Sequence, residues 1–262
     1  MPVDVVEVKK LVGKKIGKYM VEKYLGSGGY GDVYKVVNAS GRVYALKIPV
    51  SKEGKDGQAS ILTECRVYKN VSSRDLGIIK AKTVDLGNDR KGMVMDLLGP
   101  SVSKFIHKYG TLNIKTIVLI TIQMIDTLHH IHNLGYIHRD VKVQNLTVGK
   151  SDLDKIFCID FGMAWKYTDK HGNHYVEKKT GFCGTETYAS IAAMEGRTQC
   201  RRDDLESLCY TVIFMFKGVL PWQNVRKKDK GERIAAILEM KKSTPALDLC
   251  KGMPEYFIII LN

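Results

Sequence analysis

The run His138-Arg139-Asp140-Val141-Lys142-Val143-Gln144-Asn145, followed by Asp160-Phe161-Gly162, constrains this chain more than any other feature. It puts an acid, a lysine and two metal-binding side chains within one loop and one hairpin. Phosphoryl transfer to an alcohol needs that set. Asp140 can accept the hydroxyl proton, and Lys142 can neutralise charge on the moving phosphoryl group. Asn145 and Asp160 can hold magnesium. A lone Asp-Phe-Gly occurs often by chance, but the two motifs in this order and at this spacing are specific. The bland alternative is a histidine-rich helix end followed by a polar turn.

The upstream partners of such a site are present. Gly26-Ser27-Gly28-Gly29-Tyr30-Gly31 lies between the alternating runs Tyr19 to Leu25 and Val33 to Asn38. That pattern predicts strand, glycine turn, strand. Glycines there let backbone amides approach phosphate oxygens. A dinucleotide-binding loop would need a helix directly after it, and a Walker A loop would need Gly-Lys-Ser/Thr. Neither follows. Lys47 sits in the apolar run Val43 to Ile48, where an unpaired charge is costly. It is a candidate for the ATP phosphates, with an edge-strand lysine facing water as the alternative. Glu64 falls in a helical pattern with Ile61, Cys65 and Tyr68 and can orient Lys47 by an ion pair.

Longer strings resemble the casein kinase I family of protein kinases. They are Gly181-Phe182-Cys183-Gly184-Thr185, Tyr188-Ala189-Ser190-Ile191, Arg201 to Leu208, Met93 to Ser101, Leu220-Pro221-Trp222-Gln223 and Lys242-Ser243-Thr244-Pro245 with Cys250-Lys251-Gly252. Most protein kinases carry Ala-Pro-Glu where this chain has Ser190-Ile191-Ala192. The similarity spans roughly Ile16 to Glu255. It implies transfer of the γ-phosphoryl group of MgATP to serine or threonine hydroxyls, on acidic or phosphorylated protein substrates. It places ATP against Leu25, Gly26, Ser27, Gly28, Gly31, Val33, Ala45, Lys47, Met95, Asp96, Leu98 and Asn145. The backbone of Leu97 to Ser101 would meet the adenine, with Met95 at the back of the pocket. Thr185 would help tie Asp140 and Lys142 to the substrate hydroxyl. Lys142, two residues after Asp140, argues for serine/threonine over tyrosine. The arginine at Arg139 meets a phosphorylated activation segment in many kinases, and residues 163–187 offer Thr168, Thr180 and tyrosines as acceptors here. The resemblance nevertheless implies activity without that modification.

Three departures from the family pattern matter. Lys142-Val143-Gln144-Asn145 stands where the family has Lys-Pro-Asp-Asn; the lysine and asparagine survive. Gly184-Thr185-Glu186-Thr187 stands where it has Gly-Thr-Ala-Arg, and that arginine helps bind a phosphate already on the substrate. Thr187 cannot pair bidentately with phosphate, and Glu186 would repel it. Lys230 aligns with a family lysine at the same anion site, and Arg197 is a nearby extra cation. A weakened or altered preference for such substrates follows. Third, the family's domain continues past Phe257-Ile258-Ile259-Ile260-Leu261-Asn262 into further helices. Their absence predicts an exposed apolar end, or a partner that covers it.

The resemblance implies an α+β, two-lobed protein kinase fold, and length and composition are compatible with it. The chain has 262 residues, 44% hydrophobic and 26% charged. That suits one domain with a sizeable core. The expected organisation is an N-terminal extension over residues 1–15 and a kinase domain over 16–262. Within it, a small β-rich lobe covers 16–96 around one helix near 58–70, a hinge covers 97–101, and a mainly helical lobe covers 102–262. Long apolar helices are predicted over Ile114 to Leu134 and Leu205 to Phe216. No transmembrane run or signal peptide is expected. Six cysteines without a CxxC pair favour a reducing compartment, so the cytoplasm, with the nucleus as a second location, is expected. His129, His130, His132 and His138 lack an acid or cysteine to complete a metal set. The net charge of +13 favours anionic partners. No aromatic ladder accompanies the Arg226 to Lys230 run, so nucleic acid is not expected. A monomer is expected. The competing class is a catalytically weak or inactive scaffold, a pseudokinase, suggested by the altered substrate site and the short C-terminus.

Overall fold

The computed structural model describes residues 11–28, 31–49, 56–255 and 257. Six strands form one antiparallel sheet: β1 (Lys15–Ile16), β2 (Tyr19–Gly28), β3 (Gly31–Asn38), β4 (Val43–Ile48), β5 (Ala81–Gly87) and β6 (Arg90–Asp96). Their spatial order is β1-β2-β3-β4-β6-β5. The sheet starts inside the segment expected to be an extension. The Gly13 and Val21 N–H groups donate to the Val21 and Lys14 carbonyls.

Strand alternation gives the sheet two faces with different work. Tyr34, Val36, Leu46, Ile48 and Val94 point to one face and form a small core of their own with Val21. Val33 pairs with Lys47, Lys47 with Met93, and Ala45 with Met95, so these side chains share the opposite face. Helix α1 (Asp56–Val71) packs against that side. Its Ile61, Cys65 and Tyr68 join Met93 in the main core, as their helical spacing predicts.

The larger lobe is mainly helical. It contains α2 (Val102–Tyr109), α3 (Ile114–Asn133), α4 (Ile191–Met194), α5 (Arg201–Lys217), α6 (Lys230–Ser243) and α7 (Ala246–Leu249). The Asn113 side chain caps α3 by accepting the Thr116 N–H. Two short pairs complete the lobe: β7 (Tyr136–Ile137) with β10 (Trp165–Lys166), and β8 (Leu146–Val148) with β9 (Ile156–Cys158). Helix α5 begins four residues before the apolar pattern suggests. The Asp203 carboxylate reaches back to the Cys200 N–H at 2.6 Å, closing the first turn over polar residues that carry no periodicity.

An apolar groove of about 810 Å³ lies where α3, α5 and α7 meet, with Ile125, Leu205, Ile213 and Phe257 on its walls. Of the apolar end expected to be exposed, Phe257 is instead buried in the main core, and residues 258–262 lie outside the described residues. No helix of the described residues is long and apolar enough to cross a membrane.

Candidate active site

The sheet supplies one wall of the site. Lys47 leaves β4 on the face it shares with Val33, Ala45 and Met95, and is buried. Its Nζ donates to Glu64 Oε2 at 2.7 Å and to Asp160 Oδ1 at 3.0 Å. Burial pulls the Lys47 amine down, but Glu64 and Asp160 outweigh it and hold it above its ordinary value. Burial pushes the Glu64 carboxyl up, and Lys47 offsets that only in part. For Asp160 the balance reverses: burial would raise it, yet Lys47, with His138 and Lys142 farther off, holds it below the usual carboxylate range. Asp160 is therefore an ionised oxygen donor beside a fixed cation.

Helix α1 fixes both ends of this arrangement. Glu64 holds Lys47. One turn later, the Tyr68 hydroxyl accepts the Asp160 N–H at 3.1 Å. Tyr68 also meets the Phe161 ring edge-on at 4.9 Å, and Phe161 is buried against His138. Asp160 has φ 67°, a left-handed conformation that a non-glycine residue keeps only when its surroundings impose it.

The loop over residues 138–145 is a second fixed element. Asp140 is buried, and its Oδ1 accepts the Thr185 hydroxyl at 2.7 Å. Its Oδ2 accepts Lys142 Nζ at 2.6 Å. Lys142 Nζ also donates to Thr185 Oγ1 at 2.8 Å, so the three polar groups close a triangle. Asn145 Nδ2 donates to the Asp140 carbonyl at 2.9 Å, so the amide oxygen is the atom that could hold a metal. Beneath the loop, the buried Asp204 of α5 accepts the N–H groups of His138 and Arg139 and bonds His132 Nε2, each at 2.8 Å. His130 and His132 thus have structural partners, His130 bonding the Val71 carbonyl at 3.0 Å.

A third wall is built by the segment after Phe182. Gly184 has φ 123°, and a β-carbon there would lie 2.9 Å from the Arg139 carbonyl oxygen. Only glycine lets this segment run close enough for Thr185 to reach Asp140. The segment is tied from below. Trp222 Nε1 donates to the Thr187 carbonyl at 2.8 Å, and Lys241 Nζ donates to the carbonyls of Glu186 and Ala189. Ser190 donates to Asp203 at 2.6 Å, and Glu206 accepts the Ile191 N–H at 2.8 Å. Here Ser190-Ile191 is held by two carboxylates of α5. Arg139 Nε donates to the Met163 carbonyl at 2.6 Å, and its guanidinium lies over Trp165.

Of the residues expected at the nucleotide, Gly26, Ser27 and Gly28 end β2 opposite Val33, Asp32 and Gly31. Leu25 is exposed at an irregularity in that register. A β-carbon on Gly31 would come 2.5 Å from the Ile48 carbonyl oxygen, which explains glycine there. Gly29 and Tyr30, the tip of the turn, lie outside the described residues. Asp96 ends β6 with its carboxylate 3.0 Å from Arg74 Nη1, so its backbone is the part that can serve adenine. Leu98 packs on the main core.

The two cations expected to share an anion site are used differently. Lys230 lines a groove of about 580 Å³ beside Thr185, with Arg226 and Arg233. Arg197 does not line it. Its guanidinium pairs with Glu177 at 2.6 Å and with Glu195 at 3.7 Å.

Tyr68, Asp204, Arg233 and Lys241 have roles that sequence reasoning missed. Asp204 sits in the polar first turn of α5 beside Arg201, Arg202 and Asp203, where no periodicity marks it as buried. A family model described as the protein kinase domain matches residues 19–255 of this chain.

Proposed function

This chain belongs to the protein kinase family, and on that premise we propose that it is a serine/threonine kinase of the casein kinase I type, active without phosphorylation of its own activation segment. Family membership implies ATP, a divalent metal and protein substrates. The observation that carries the finer reading is the triangle of Asp140, Lys142 and Thr185. It presents a carboxylate that can accept a hydroxyl proton beside an ammonium that can face a phosphoryl group.

The donor set fits magnesium. Asp160 offers an ionised carboxylate and Asn145 an amide oxygen, the hard ligands this cation prefers. Bound MgATP supplies the phosphoryl group and the metal charge that the transition state requires. This chain's residues do the rest. Lys47, locked by Glu64, meets the α- and β-phosphates. Val33, Ala45 and Met95 give the base an apolar face. Asp140 orients the acceptor hydroxyl and takes its proton. Lys142 and Thr185 hold that carboxylate in place, so that positioning and charge neutralisation supply most of the rate.

Activity without activation-segment phosphorylation is supported by Arg139, whose side chain is positioned without a phosphate by the Met163 carbonyl at Nε and by the Trp165 ring. Lys142 supports serine/threonine specificity, and the basic groove beside Thr185 supports acidic protein substrates. Among acidic substrates, Glu186 and Thr187 weaken the preference for ones already phosphorylated. The cytoplasm, with the nucleus as a second location, fits six cysteines that are all free thiols. Phosphoamino-acid analysis of labelled casein tests the specificity: phosphoserine and phosphothreonine are expected, and phosphotyrosine as the main product would overturn it.

A further inference from the structure

Lys241 is buried on α6, at 4% exposure. Glu206 attracts it, but among the described residues no carboxylate bonds it. Both of its hydrogen bonds go to backbone, to the carbonyls of Glu186 and Ala189. A buried amine is costly, and an apolar side chain would fill the same space without that cost. What lysine adds is several N–H donors on one atom. Burial lowers its pKa to about 7. The neutral amine still has an N–H group for each of the two carbonyls, so the tie does not depend on charge.

The surroundings are built around this amine. Its Nζ lies 4.6 Å from the centre of the Tyr210 ring and 5.0 Å from that of Trp222. The two rings meet edge-on at 5.1 Å. Trp222 in turn takes the Thr187 carbonyl, which lies between the two that Lys241 holds. The same stretch closes a turn on Thr185, whose carbonyl accepts the Tyr188 and Ala189 N–H groups, each at 2.9 Å. Lys241 therefore grips the turn from which the Thr185 hydroxyl reaches Asp140. It does so from the other side. Lys241 lines the apolar groove between α3, α5 and α7, whereas Thr185 and Glu186 line the groove that holds Lys230.

We infer that Lys241 is a positioning residue: its amine holds the backbone of residues 186–189 in the path that lets Thr185 reach Asp140 and that a protein substrate meets. This rests on the protein-substrate reading above. The effect of Lys241 on the reaction passes through that backbone and Thr185, because its own side chain opens onto the opposite groove.

Lys241→Met fills the same space without a donor. Hydrogen exchange at the Tyr188 and Ala189 amides reads the tie with no substrate present, and should quicken about tenfold in this variant. A fluorescent acidic peptide with alanine in place of the acceptor serine, and fluorescent ADP with magnesium, read the two ligands by anisotropy. The dissociation constant for the peptide is expected to rise about tenfold, the scale of one or two lost hydrogen bonds, and that for ADP to stay within about twofold. Lys241→Ala leaves a space that opens to the apolar groove. There n-propylamine, the missing part of the side chain, should restore slow exchange and peptide affinity, and it should do nothing for Lys241→Met. Unchanged exchange, equal losses of peptide and ADP binding, or no rescue of a folded alanine variant overturns the inference. Should the alanine variant not fold, the exchange and binding of Lys241→Met decide it. Failure of the kinase reading would appear separately, as no peptide binding or no phosphate transfer by the unaltered protein while the exchange result holds.

Discussion

Asp204 holds Arg139 in a left-handed backbone conformation. Its Oδ1 accepts the Arg139 N–H at 2.8 Å, and Arg139 has φ 67°. Oδ2 of the same carboxylate takes the His138 N–H and His132 Nε2. One buried acid on α5 thereby sets the path of the loop that carries Asp140, Lys142 and Asn145. Replacing it orphans several buried donors at once. Asp204→Ala is expected to cost about 3 kcal/mol or more of stability. Thermal unfolding, with Asp204→Asn as the milder comparison, checks this; an unchanged melting temperature for the alanine variant contradicts it.

Thr185 reaches both Asp140 and Lys142 through one hydroxyl. Thr185→Val keeps the shape and removes both bonds. We expect kcat to fall about 100-fold, in the range of general acid–base contributions, with KM for ATP little changed. A fall in ATP affinity with kcat retained would show that Thr185 serves nucleotide binding instead.

The sequence made the chemistry legible because its motifs are local. Asp140, Lys142 and Asn145 lie within six residues, so their spacing alone puts them on one loop. Lys47 and Glu64 were legible because a charge in an apolar strand needs a partner, and the helical pattern around Glu64 offered one. Tyr68, Asp204 and Lys241 were not. They act by side-chain bonds to backbone groups far along the chain, and Lys241 is separated from Glu186 and Ala189 by 55 and 52 positions. Such contacts leave no period or motif. Arg197 was read as a cation free for substrate because its partners, Glu177 and Glu195, are assembled only when residues 177–180 and 195–198 run together.

Asp160 is held ionised beside Lys47. Asp160→Asn should lower kcat by about 100-fold or more, as loss of a preorganised charge does. It should also raise the magnesium concentration needed for half-maximal transfer. Chelation with EDTA should abolish transfer by the unaltered protein, and transfer that survives chelation would remove Asp160 and Asn145 from the metal role.

Lys241 gives a pH signature. Burial outweighs the attraction of Glu206 and lowers its pKa from 10.5 to about 7. Between those pH values the unfolded chain carries a proton that the folded chain lacks. Stability from this group is therefore present above 10.5 and is lost as pH falls toward 7. Tyr210, against which Lys241 packs, has its pKa raised by burial and stays protonated over most of that window. The stability difference between the unaltered protein and Lys241→Met should thus grow with pH from 8 to 10, by up to about 1.4 kcal/mol per unit. Denaturant unfolding at several pH values reads it, and a flat difference contradicts the lowered pKa.

Arg139 needs no phosphate to be ordered. Protein treated with a phosphatase, and shown by mass spectrometry to carry no phosphate, is expected to keep at least half its activity. Inactivation by that treatment, reversed on rephosphorylation, would contradict the reading.

The central claim is transfer by the Asp140 site. Its most direct measurement is labelled phosphate transfer from MgATP to casein by the protein and by Asp140→Asn, both shown to be folded and to bind ATP. The account predicts transfer that the substitution lowers by about 1,000-fold or more, the scale of losing a positioned base. No transfer by the unaltered protein, or equal transfer by both, would contradict it and bring the scaffold reading forward.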